Sequence, residues 1–102
     1  MVLNKDRKPH PRRPFLVMSG DTNQDASWPT VLGFPLSTAR EFTSEFDVAL
    51  KAGQANLPED CWVRVEMMQP VAKTKLVERV GQLDANVIDE CMTRFLSYLG
   101  EI

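Results

Sequence analysis

The side chains best equipped for chemistry in this sequence are cationic, and they crowd its beginning. Lys5, Arg7, Lys8, Arg12 and Arg13 face only Asp6 within residues 1–13, a local charge of +4. Residues 14–102 carry seven basic and thirteen acidic groups, a charge of −6. A basic arm on an acidic body is either a solvated tail or a local anion site, because cations beside a groove concentrate a phosphate backbone even on an acidic protein. His10, the one histidine, lies in this arm. Its unperturbed pKa of about 6.5 suits a proton shuttle, but Pro9 and Pro11 on either side favour a solvated loop histidine. Trp28 ends a polar stretch and offers either a stacking face for a nucleobase or ordinary packing. Trp62 reads as core or dimer packing. Cys61 and Cys91 lack zinc spacing and are too few for a disulfide framework, so they read as two buried thiols. With one histidine and two distant cysteines, no metal and no cofactor are expected.

The elements that must hold these residues are short strands followed by a helix. At 102 residues, 43% hydrophobic and 25% charged, the composition fits one globular domain over residues 1–102. Apolar runs of a few residues do not span a membrane, and no leader precedes a cleavage site, so a cytoplasmic protein is expected. Phe15-Leu16-Val17-Met18 reads as a buried strand, and Thr30 to Leu36 as a second with Pro35 near its end. Phe46 to Leu50 alternates like a half-buried strand, and Lys51 to Pro58 is a connection. Trp62 to Met68 alternates too, with Trp62, Arg64, Glu66 and Met68 on one face and Val63, Val65 and Met67 on the other. Met67 and Met68 read as core and interface filler. The helix is expected over Asp84–Leu99, with Asp84 as N-cap, Val87, Cys91, Phe95 and Leu99 as a buried stripe widened by Ile88 and Met92, and Gly100 as C-cap. The fold class is α+β or mainly β.

Three segments in order resemble the MazF/PemK family of toxins from type II toxin–antitoxin systems. The first is Arg12-Arg13-Pro14-Phe15-Leu16-Val17-Met18-Ser19, similar to the family's R-R-P and hydrophobic run leading into its second strand. The second is Phe34-Pro35-Leu36-Ser37-Thr38, similar to its V-P-x-T-T strand ending. The third runs from Leu57 to Leu99: an L-P-x-x-S/C-W-V-R opening over Leu57 to Arg64, then Val71-Ala72-Lys73-Thr74-Lys75-Leu76, then Val80-Gly81-Gln82-Leu83-Asp84 before the helix. The resemblance departs in two places. Only Met1-Val2-Leu3 corresponds to the family's first strand, which is therefore expected to be truncated. Asp6 to Pro11 stands where the family carries a Gly/Ser/Glu-rich loop, without its glutamate.

The resemblance implies a small SH3-like (CcdB/PemK-type) antiparallel barrel closed by a C-terminal helix. It also implies sequence-specific, metal-independent cleavage of single-stranded RNA, with the ribose 2′-hydroxyl attacking the adjacent phosphorus. Arg13 matches the family's catalytic arginine, whose guanidinium fork can hold a dianionic phosphorane; otherwise it is an exposed loop arginine. Thr38 matches the strand-end threonine, a donor to phosphate oxygen; otherwise Ser37 to Glu41 starts a short helix. Lys8, Arg12, Ser37 and Trp28 are the expected RNA-binding residues, with His10 as a possible proton shuttle. The implied partners are single-stranded RNA, a cognate antitoxin and a second copy of the chain. Alternatives are a catalytically reduced relative that binds RNA or antitoxin, and a CcdB-like gyrase poison.

Overall fold

Period-two burial marks which strands cover the core. Val48 and Leu50 are buried with Ala49 exposed between them, and Cys61 and Val63 are buried around the half-buried Trp62, as one face of a sheet requires. The computed structural model describes residues 2–3, 13–19, 29–41 and 43–100. Lys8, His10, Arg12 and Trp28 lie outside the described residues.

In chain order the strands are β1 (Val2–Leu3), β2 (Arg13–Val17), β3 (Thr30–Ser37), β4 (Val48–Leu50), β5 (Cys61–Val63), β6 (Gln69–Ala72) and β7 (Leu76–Glu78). All pairings are antiparallel, in the order β4-β5-β3-β2-β1-β7, with β6 also on β3. β3 organises the sheet: its first half pairs with β6, its end with β5, and its middle with β2. Gly33 is what lets β2 approach. A Cβ there would meet a Phe15 ring carbon at 2.6 Å and the Leu16 carbonyl oxygen. Among the described residues β4 and β7, the two ends, share no ladder, so the antiparallel barrel they form is open rather than closed. β1 is two residues long, yet it bridges β2 and β7.

The helix α1 (Ala85–Tyr98) packs across this sheet. Cys91 is wholly buried among Phe34, Leu36, Val63, Val65 and Leu83, with Val87, Ile88 and Phe95 half-buried against them. Phe34 and Phe95 meet edge to face at 5.8 Å, a favoured ring geometry. Asp84 is the N-cap through its carbonyl, which accepts from Val87 N at 3.0 Å and Ile88 N at 3.2 Å; its side chain makes no cap bond. Gly100 takes a positive φ of 82° and its N donates to Ser97 O, the expected left-handed ending.

Three sequence expectations need correction. Leu99 is 53% exposed and Met92 36%, not part of a buried stripe. Each four-residue step overshoots a full turn by about 40°, so a stripe centred on Cys91 has swung well away by Leu99. Phe46 and Asp47 form a turn rather than strand, because Ser44 N donates to Asp47 Oδ2 at 2.9 Å and Phe46 N to Ser44 Oγ at 3.1 Å. Trp62 to Met68 is not one alternating strand. β5 stops at Val63, Arg64 N donates to Pro35 O at 2.9 Å, and Val65–Met67 is a 3-10 turn with Val65 buried and Met67 55% exposed. The reason is the Arg64 side chain, which is drawn inward.

Candidate functional site

Arg13 opens β2 and is exposed, while Phe15, two residues on, is 1% exposed and pairs with Pro35 of β3. Continuing that register two residues outward sets Arg13 opposite Ser37, the last residue of β3. Thr38 follows immediately and is also exposed. Arg13, Ser37 and Thr38 line one cleft of about 510 Å³. Pro58 and Glu59 line it from the connection between β4 and β5, above the buried Leu36, Leu57 and Cys61. A second cavity of about 440 Å³ adjoins it, sharing Pro14, Leu36, Leu57 and Val80. Among the described residues, no hydrogen bond or ion pair holds the Arg13 guanidinium or the Thr38 hydroxyl. Both are therefore available to a ligand.

Ser37 is differently placed. Its Oγ accepts from Ala39 N at 3.1 Å and from the Arg64 guanidinium at 3.2 Å. Ser37 thus shapes the loop that carries Thr38, and no helix forms over 37–41. Arg64 is the residue sequence reasoning missed. Its NH1 donates to Asp47 Oδ2 at 2.6 Å, with 8% and 4% of the two side chains exposed. Its NH2 also donates to the Ala39 carbonyl. One buried guanidinium therefore ties the Ser37–Ala39 segment to the turn at 44–47, as only a planar fork can. The sequence signals were its place as the last residue of the L-P-x-x-S/C-W-V-R opening and its position between two valines, Val63 and Val65; nothing marked Asp47, 17 positions away, as its partner. Trp62 is half-buried beside two guanidinium groups, Arg40 at 5.4 Å and Arg64 at 5.9 Å from its ring centre, within cation–π range. It is neither simple core nor an open stacking face.

Both cysteines are buried and free. Burial pushes the Cys61 thiol up from its ordinary value, with Asp60 and Glu59 adding to the effect. Burial pushes Cys91 up to about 11, opposed by Arg94 and reinforced by Glu90. A thiolate is the reactive form, so neither cysteine serves as a nucleophile or base at neutral pH. A thiol-specific reagent at pH 8 is expected to label the native protein slowly and both cysteines at once on unfolding. The unfolded thiols ionise near 9.0 and Cys91 in the fold only near 11. Its contribution to stability is thus intact below pH 9 and lost as pH rises towards 11. Equal labelling rates in native and unfolded protein would contradict the burial of the two thiols.

Among the described residues, no three His, Cys, Asp or Glu side chains converge as metal ligands. The family described as PemK-like, MazF-like toxin of type II toxin–antitoxin system matches residues 2–99. The chain belongs to that family. Among solved structures, a Mycobacterium tuberculosis toxin, MazF-mt6, superposes with a TM-score of 0.78 at 16% identity, covering 97% of this chain and 93% of the other. A mycobacterial endoribonuclease in complex with its cognate antitoxin gives 0.74 at 18% identity, covering 97% and 88%. A further M. tuberculosis toxin gives 0.74 at 15%, covering 95% and 98%. No curated protein matches the sequence. At these identities the structures establish a shared fold: a PemK/MazF-like open antiparallel barrel with its C-terminal helix. In this PemK/MazF-like toxin the strand ends carrying Arg13 and Thr38 open into the same cleft.

Proposed function

We propose that this chain, acting as one toxin domain over residues 1–102, is a metal-independent endoribonuclease that cuts single-stranded mRNA at a preferred sequence. A cognate antitoxin would restrain it in the cytoplasm. The observation that carries this reading is the convergence on one cleft of an arginine and a threonine whose side chains have no partner among the described residues. In transesterification the 2′-oxygen bonds to phosphorus as the bond to the 5′-oxygen of the next nucleotide breaks, leaving a 2′,3′-cyclic phosphate and a 5′-hydroxyl. Negative charge gathers on the non-bridging oxygens of the phosphorane. Preorganised donors in a partly desolvated cleft stabilise that charge more than the ground-state diester. Arg13 would supply two charge-assisted bonds, and Thr38 a neutral one that orients the phosphate.

The proposal extends to the partners. A second copy of the chain would complete the groove in a homodimer, with Arg12, Lys8 and Trp28 reaching the RNA from outside the described residues. An antitoxin segment, disordered when free, would lie along the two adjoining cavities and exclude RNA. The test is cleavage of a long single-stranded RNA by the purified protein in excess chelator, with end-group analysis of the products. Cutting that persists and leaves cyclic phosphate termini is expected. Cutting abolished by chelator, or products ending in 5′-phosphate, would overturn the mechanism. A folded protein that binds RNA without cutting it would favour a binding module instead.

A further inference from the structure

The cleft supplies donors for a phosphorane in Arg13 and Thr38, but the same reaction needs a group that takes the proton from the attacking 2′-hydroxyl. Neither of these two can do so at neutral pH: a guanidinium is permanently protonated, and a threonine hydroxyl is too weak an acid to act as a base. Ser37 is no better placed, since its oxygen already accepts from Ala39 N and Arg64. Cys61 lies beneath the cleft with its thiol held in the protonated form. Asp60 turns away and accepts from Ala52 N at 2.8 Å, with Lys51 at 4.0 Å.

Glu59 remains. It lines the cleft together with Arg13 and Thr38, and its side chain is exposed, with no hydrogen bond or ion pair to the described residues. We infer that Glu59 is the proton acceptor of the cleft that it lines with Arg13 and Thr38. This role rests on the endoribonuclease reading above. As the 2′-oxygen bonds to phosphorus its proton passes to the Glu59 carboxylate. The departing 5′-oxygen takes a proton from water, and Glu59 returns its own to solvent, so no other reactant is consumed. Among the described residues, the charged groups to weigh beside Glu59 are Arg13, which lines the same cleft, and Asp60, next in the chain and already engaged by Lys51. The placement of Glu59 on a short connection, after Leu57 and Pro58, also explains how an acceptor can arise far in sequence from the arginine it serves.

The test compares three proteins on one RNA substrate under single-turnover conditions: wild type, Glu59→Gln and His10→Ala. Glutamine keeps the shape of an exposed side chain, so folding is expected to be unchanged, and RNA binding by the variant serves as the control. Glu59→Gln is expected to cut at least about 10²-fold more slowly, as loss of a positioned base does, while binding RNA as wild type does. Wild-type rates in Glu59→Gln, or a fall near pH 6.5 that vanishes in His10→Ala, would overturn the role of Glu59 and leave the endoribonuclease reading standing. A wild type that binds RNA without cutting overturns both.

Discussion

Replacing Arg13 by alanine should lower the rate of RNA cleavage by about 10²-fold or more, with the protein still folded. The magnitude follows from what the side chain does at two stages of the reaction. The ground-state diester carries one negative charge and the phosphorane two, so a guanidinium that donates two charge-assisted bonds stabilises the second more than the first. A difference on the order of 3 kcal/mol corresponds to that loss in rate. The fold should not suffer, because the Arg13 side chain is exposed and makes no bond to the described residues, while β2 is anchored by Phe15 and its ladder to β3. Thr38→Ala should cost less, since a neutral hydroxyl contributes a weaker bond. The measurement is single-turnover cleavage, with circular dichroism and size-exclusion chromatography as controls for folding. An Arg13→Ala protein that cuts at the wild-type rate would remove the cleft from the mechanism.

Replacing Arg64 by methionine should destabilise the protein by about 3–5 kcal/mol in denaturant unfolding. The pair with Asp47 is almost fully out of water, so removing the cation leaves a carboxylate buried with only Ser44 to satisfy it. The bonds to Ser37 and to the Ala39 carbonyl are lost as well. The double change with Asp47→Leu should recover part of the loss, because an apolar pair of similar volume leaves no unpaired charge. The recovery concerns stability alone. The segment Ser37–Ala39 would still lack its tie, so Thr38 should remain poorly placed and cleavage slow even in the restored protein. A single substitution costing less than about 1 kcal/mol would mean that the pair is solvated rather than buried.

Much of this molecule was legible from short-range patterns. β2 and β3 were readable because Phe15 to Val17 and Thr30 to Leu36 are apolar runs bounded by prolines and polar residues, and the helix because its caps, Asp84 and Gly100, flank a four-residue rhythm. Burial of the two thiols followed from residue type alone. The failures have one cause each. Leu99 was misplaced because a spacing of four is not the pitch of a helix. The 62–68 segment was misread because alternation describes a strand only while both faces find partners, and Arg64 found one in Asp47 that no local pattern announces. Thr38 stands at a fixed position of its strand-end motif, whereas Glu59 falls on a variable position of the L-P-x-x-S/C-W-V-R opening.

By itself the sequence determined β2, β3, the helix and the family, and it singled out the arginine and threonine that line the cleft, because these depend on residue type, spacing and contiguous motifs. Three things were decided only by the tertiary structure. The register of β2 against β3 brought Arg13 to the end that carries Thr38, although 25 positions separate them. The connection after β4 laid Glu59 against that same end. The buried Arg64 tied the loop in place through bonds spanning 17 to 27 positions. Each of these is a long-range pairing whose energy exists only once the chain has closed the loops between the partners. That is why composition and periodicity are silent about them and the folded sheet is not.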